Sequence, residues 1–297
     1  MFEELEPWER QFFPDCKTQI PTDDTTAFLK YKSMAWSKYY NKLILAWSQG
    51  IEAYPAGIEP ETFPVIYKPI FNLYGLGKDV RILNDWKESY YHGGMMWMPL
   101  LAGEEYSTDF VLEDGEVKWH YTVKPTFDKQ HRPYSWRFEY MPIKYFTVII
   151  KWLESHLRGY TGIVNIENIG ETIFDFHMRL SPQFVDLYGK RWPEAVIELY
   201  EKGNWNWNKP NQYGISYVYW SNQDGYPIIK TPELDGISLQ ITFDQTIKLS
   251  QTYNNGSYRL FAVNGKLKEV IDAVRTIESN FPDNIKFSEP KGVLVQE

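Results

Sequence analysis

Two adjoining segments of the 297-residue chain, GIVNIENIG and ETIFDFHMRLS, carry charged and polar side chains at every second position. Asn165 and Glu167 lie on the first, and Asp175, His177 and Arg179 on the second. In an extended backbone successive side chains point to opposite faces, so the last three line one face at intervals of about 6–7 Å, with Phe174 and Phe176 on the other. A row of carboxylate, imidazole and guanidinium can hold Mg2+ and a polyphosphate together: carboxylates are hard oxygen ligands, and the arginine fork matches phosphate. The same row also fits a salt-bridge ladder on a half-exposed sheet.

Three further groups precede it. Lys68 closes the apolar run VIYKP, where it can meet a ligand or snorkel to solvent. Gly75-Leu-Gly77-Lys78 follows, a loop whose glycines let backbone amides approach phosphate oxygens and which also reads as an ordinary turn. The third is Gly103-Glu-Glu105-Tyr-Ser, behind an apolar segment whose Met98 and Leu100 could line an adenine slot. Glu105 could accept both ribose hydroxyl protons, or belong to a solvated acidic turn.

The elements that must position these groups are legible as periodicities. Residues 35–49 place Trp36, Tyr40, Leu43, Ile44 and Trp47 at helical spacing before Gly50. Strands are expected at 65–67, 95–101, 106–112 and 117–123, the last two joined at Asp114-Gly115. The polar segment 124–136 reads as a loop, 142–158 as a helix, and 163–168 and 172–179 as a hairpin turning at Gly170. A helix is expected at 193–202, strands at 215–221, 240–250 and 258–263, and a closing helix at 267–280. Strands paired with neighbours and interspersed with helices make an α+β fold.

Composition narrows the function classes. There are 31 Lys and Arg against 39 Asp and Glu, a net charge of −8, so no field gathers duplex nucleic acid and none is expected as partner. No apolar run reaches the ~20 residues of a membrane span, and residues 1–11 lack a basic leader, so no membrane partner is expected. One cysteine, Cys16, excludes an intrachain disulfide and implies a cytoplasmic setting. Aromatic residues make up 17% of the chain, with a concentration between Trp192 and Trp220 beyond the charged hairpin.

The order Lys68-Pro69, glycine loop, G-E-E-Y-S-T-D and D-x-H-x-R resembles the ATP-grasp superfamily of carboxylate–amine ligases over roughly residues 42–179, with an echo in SYRLFAVNGKLKEVIDAV. The resemblance implies two α+β subdomains with mostly antiparallel sheets clasping a nucleotide. Residues 1–60 would be a reduced pre-grasp arm and helix, 61–125 the subdomain with the nucleotide loop, and 126–297 the C-terminal subdomain with the metal hairpin and an aromatic extension. It further implies ATP bound by Lys68, Gly75, Gly77, Lys78, Met98, Leu100 and Glu105, and metal held by Asp175, His177, Glu167 and Asn165. Lys68 and Arg179 would act on the transferring phosphate. His177 stands where the family usually has asparagine and Asn165 where it has aspartate, so Mn2+ is admitted beside Mg2+.

The activity implied is ATP-dependent joining of a small-molecule or peptide carboxylate to an amine through an acyl phosphate, with ADP and phosphate released; such ligases often pair as homodimers. Two other readings stand beside it: a grasp-type kinase acting on a hydroxyl, and a non-catalytic binder using Trp205, Trp207, Tyr217, Tyr219 and Trp220 as a stacking platform.

Overall fold

β-Branched and aromatic residues in alternation form strands that pair antiparallel throughout. The computed structural model describes residues 13, 16–73, 75, 77–127, 133–207, 213–221, 238–241 and 258–280. The strands are β1 (Tyr54–Pro55), β2 (Val65–Pro69), β3 (Arg81–Leu83), β4 (Met95–Pro99), β5 (Glu105–Glu113), β6 (Glu116–Phe127), β7 (Pro133–Phe138), β8 (Gly162–Ile169), β9 (Thr172–His177), β10 (Ile215–Ser221), β11 (Ser238–Ile241) and β12 (Tyr258–Gly265). The helices are α1 (Asp24–Tyr31), α2 (Lys42–Trp47), α3 (Thr147–His156), α4 (Val185–Tyr188), α5 (Trp192–Lys202) and α6 (Leu267–Asn280). A small sheet runs β1-β4-β2-β3, and a large one runs β11-β12-β10-β7-β6-β5-β8-β9.

The large sheet buries both faces where its strands are apolar on both. Phe110, Leu112, Val164, Ile166 and Phe176 on one face pack with Ile149 and Leu153 of α3 and with Tyr39, Tyr40 and Leu45 from the N-terminal helices. Val111, Ile163, Trp119 and Tyr121 on the other pack against Leu187 and Tyr188 of α4 and Trp192, Val196 and Leu199 of α5. Toward one end this second face turns polar: Val111 gives way to Asp109 and Ser107, and Ile163 to Asn165 and Glu167. Period-two alternation keeps those polar groups on the face that was apolar two residues earlier.

Between the sheets lies α2. Leu43 and Ala46 join the small sheet's Met96 and Met98, whereas Leu45 joins the large sheet's core. Gln49, just beyond α2, donates from Nε2 to the Ile173 carbonyl and accepts from the Ile173 amide, both at 2.8 Å, so it satisfies backbone groups of the outermost strand β9.

Three expectations are corrected. Residues 35–49 are not one helix: a 3-10 turn over Ala35–Tyr40 stops at Asn41, whose extended backbone and side chain, accepting from the Leu43 and Ile44 amides, start α2 afresh. Trp47, grouped by spacing with Tyr40 and Leu43, is exposed whereas those two are buried. The described residues of 124–136 are strand, not loop: 124–127 continue β6, Pro125 included, and 133–136 belong to β7, where Tyr134 and Ser135 are buried; residues 128–132 lie outside the described set. Of the strand expected at 240–250, residues 240 and 241 end β11, which starts earlier at Ser238, and 242–257 lie outside the described residues. The Asp114-Gly115 turn has positive φ at both positions, 53° and 85°, as a tight two-residue hairpin requires.

Candidate functional site

The polar end of β8 and β9 is assembled by register. Asn165 faces His177 and Glu167 faces Asp175 across the β8/β9 pair, while Asp109 and Ser107 of β5 face Asn165 and Glu167 from the other side. One ligand atom each from Glu167, Asp175 and His177 lies within 4.8 Å of the others. His177 Nε2 is 3.7 Å from Asp175 and 4.0 Å from Glu167, beyond hydrogen-bonding distance of either. It is buried with no hydrogen-bond partner. Two carboxylates and an unshared imidazole nitrogen are a donor set that fits a divalent cation.

Cations arrive from elsewhere in the chain. Lys42, the first residue of α2, is buried and ion-paired with Asp175. Lys68, on β2 of the small sheet, is also buried; its Nζ donates to the Phe174 carbonyl at 3.0 Å and lies over the Phe174 ring. Burial, reinforced by the Lys42 charge, pushes the Lys68 ammonium down to about 7, against the pull of Asp175 and Glu167. Burial opposes the charged form of Asp175, but Lys42, His177 and Lys68 outweigh it and hold this carboxyl well below its ordinary value. Burial pushes Glu167 the other way, against the pull of His177.

Asp24 completes the cluster from the start of α1. It is buried, meets His177 Nδ1 at 2.9 Å and accepts from Arg179 at 3.4 Å. Burial works against its charge, and Arg179 and His177 more than offset that, keeping it an ionised acceptor. The other terminal nitrogen of Arg179 reaches the Leu180 carbonyl and Ser181 Oγ, each at 3.4 Å.

The remaining candidates fall at varying distances from this centre. Asn165 donates from Nδ2 to Ser107 Oγ at 2.9 Å and Asp109 Oδ1 at 2.7 Å, so that nitrogen serves the sheet. Glu105 lies near Glu167, and burial together with that charge pushes its carboxyl up to about 8. Gly75 and Gly77 both adopt positive φ, 67° and 57°, in the loop beyond β2, and Lys78 is exposed. Met98 packs in the small sheet's core beside Leu43 and Ala46, whereas Leu100 is 38% exposed. Trp205 and Trp207 pack against the cluster of Trp119, Tyr188 and Trp192, and Tyr217 is buried. The side chains of Tyr219 and Trp220 lie outside the described residues.

Two site residues escaped the sequence reading, Asp24 and Lys42. Asp24 left a signal: with Ala27 and Tyr31 at i+3 and i+7, it is an acid on the buried face of its helix. Lys42 left none, since a lysine at a helix start reads as solvated.

No protein-family model and no curated protein sequence matches the chain. Solved structures do. An L-amino acid ligase from Bacillus licheniformis superposes with a TM-score of 0.55 at 14% identity, over 82% of this chain and 72% of that one. Phosphoribosylamine–glycine ligase from Thermotoga maritima gives 0.56 at 17% identity, over 91% and 84%. The biotin carboxylase domain of Hydrogenobacter thermophilus 2-oxoglutarate carboxylase, in complex with MgADP, ADP and bicarbonate, gives 0.56 at 12% identity, over 89% and 72%. The chain has the ATP-grasp fold, with α+β architecture and antiparallel sheets as expected. Among the described residues no helix is long and apolar enough to cross a membrane.

Proposed function

We propose that the chain is an ATP-dependent ligase that activates a small-molecule or peptide carboxylate as an acyl phosphate and joins it to an amine in the cytoplasm. The observation that carries this reading is the meeting of Lys42, Lys68, Glu167, Asp175 and His177 where the small sheet, α2 and the large sheet converge. Its likeness to ligases and to a carboxylase domain bound to MgADP supports it.

In this reading Glu167, Asp175 and His177 hold a divalent metal, Mg2+ or Mn2+, with Asn165 behind them orienting the strand. A metal bound there supplies positive charge against the γ-phosphate as it transfers. Arg179 adds fixed positive charge in a site where burial strengthens it, and Lys68 adds its charge when protonated. Gly75 and Gly77 give the loop before Lys78 the backbone freedom to close over phosphates and exclude water from the acyl phosphate. Glu105 is the group for the ribose hydroxyls, and Met98 and Leu100 flank the adenine. The carboxylate oxygen attacks the γ-phosphorus as the bond to ADP breaks; the amine nitrogen then attacks the acyl carbon, loses a proton, and phosphate departs.

The test is phosphate release from ATP with Mg2+ or Mn2+ over pairs of amino acids and other acids and amines. Release that requires both acid and amine supports the ligase. A phosphorylated product that accumulates without an amine identifies a kinase instead. Asp175→Asn should lower turnover at least about a hundredfold; near-normal turnover in a folded variant overturns the site assignment. The stacking-platform reading gains nothing from Trp205, Trp207 and Tyr217, which are spent on core packing.

A further inference from the structure

We infer that Asp24 is a positioning residue for a nitrogen-bearing metal site: it holds His177 with Nε2 turned to Glu167 and Asp175, so that the trio takes a first-row divalent transition metal in preference to Mg2+. The inference rests on the trio being a metal site, as proposed above, but not on ligation.

Three observations combine. First, His177 is 4% exposed, and its Nε2 is buried without a hydrogen-bond partner, an arrangement that costs free energy unless something absent from the polypeptide occupies the lone pair. Second, Nε2 lies 3.7 Å from Asp175 and 4.0 Å from Glu167. Those separations are too long for hydrogen bonds, yet they fall within the ~4.2 Å that two atoms can span when each is about 2.1 Å from a shared ion. Third, the opposite ring nitrogen, Nδ1, is 2.9 Å from an Asp24 carboxylate that already accepts from Arg179. Asp24 is therefore an acceptor toward both neighbours, Nδ1 carries the hydrogen, and Nε2 faces the two acids, where a bound metal would take its lone pair in place of a proton. A carboxylate behind a ligating imidazole fixes both its tautomer and its orientation.

The metal preference follows from the donor set. Mg2+ favours oxygen ligands in near-ideal octahedral geometry, and imidazole nitrogen suits later divalent ions better. One nitrogen among three protein ligands shifts the balance toward Mn2+ and its heavier neighbours. Lys42 and Lys68 repel any cation but repel Mg2+ and Mn2+ alike, so they set overall affinity and leave the preference to the ligands. Asp24 comes from α1, more than a hundred residues before the hairpin that it orients.

The experiment uses the full chain without nucleotide and Mn2+ as the probe. Electron paramagnetic resonance gives the free Mn2+ during titration, and pulsed measurements report nitrogen-14 coupling from a directly bound imidazole. Expected are one bound Mn2+ with nitrogen coupling, and displacement by Mg2+ only at more than about tenfold excess. Asp24→Asn should weaken Mn2+ binding about 10- to 100-fold. His177→Asn should abolish the nitrogen coupling and bring Mn2+ and Mg2+ affinities together. Absence of bound Mn2+, bound Mn2+ without nitrogen coupling, or wild-type affinity in Asp24→Asn overturns the inference. Should Asp24→Asn fail to fold, the wild-type spectrum and His177→Asn still decide it. Acid- and amine-dependent phosphate release without nitrogen coupling removes this inference and spares the ligase; nitrogen coupling without such release does the reverse.

Discussion

At the polar end of the large sheet Lys42 pairs with Asp175, while His177 and Arg179 share Asp24. Lys42 and Asp175 are close partners with Lys42 almost fully buried, so removing one leaves the other poorly compensated. Lys42→Met is expected to cost about 3 kcal/mol in denaturant unfolding, and Lys42→Met combined with Asp175→Leu to recover more than half of that. A loss in the double variant equal to the sum of the losses in Lys42→Met and Asp175→Leu would show that the pair is not coupled. Glu105 gives a pH signature. Its folded pKa, about 8, is raised above the unfolded carboxylate value, so the folded state holds a proton that the unfolded chain has lost. Its contribution is fully present below the unfolded value and disappears as pH rises through about 8, at up to about 1.4 kcal/mol per pH unit. Glu105→Gln should therefore match the wild type at pH 4 and be the more stable at pH 8.5. Parallel denaturation midpoints across that range would refute it.

At the scale of elements, short segments aim the site. The six-residue α2 is too short to persist alone, and Asn41 starts it by accepting two backbone amides while placing Lys42 at Asp175. Asn41→Ala should cost about 1 kcal/mol, and it should lower turnover as well if Lys42 serves the site; unchanged stability would mean that packing alone holds α2. The β5/β6 turn is less forgiving. A Cβ on Gly115 would lie 2.9 Å from the Arg158 Cα and 3.0 Å from the Leu157 carbonyl oxygen, at a φ of +85°. Gly115→Ala is expected to lose about 2 kcal/mol, read as a lowered unfolding midpoint. The residues after α3 pack against this turn, since the Gly115 amide donates to the Tyr160 carbonyl.

For the whole molecule, the two sheets meet through α2 and through the Lys68 contact with the Phe174 carbonyl. A nucleotide and metal bound at that junction would stabilise both sheets at once. With Mg-ATP at about 100 times its dissociation constant, the gain is about 2.7 kcal/mol, and the thermal midpoint should rise by roughly 5 °C. A chelator should cancel the rise, and Asp175→Asn should show none. A shift that survives both would place the nucleotide elsewhere.

The sequence by itself determined the strands of the charged hairpin, the β5/β6 turn, α5 and α6, and the row Asp175, His177, Arg179, because period-two and period-3.6 patterns are local and survive without a partner. It also ordered the glycine loop and Lys68 ahead of that row, enough to expect the ATP-grasp fold. Only the tertiary structure decided which charges meet. Lys42 and Asp24 reach the hairpin from more than 130 residues away, and burial, which shifts Lys68 down and Glu105 up, depends on everything packed around them. Asn165 and His177 have equal standing in the sequence row. Register and neighbours separate them: the Asn165 amide donates to Ser107 and Asp109, whereas the His177 Nε2 is left without a partner beside two carboxylates.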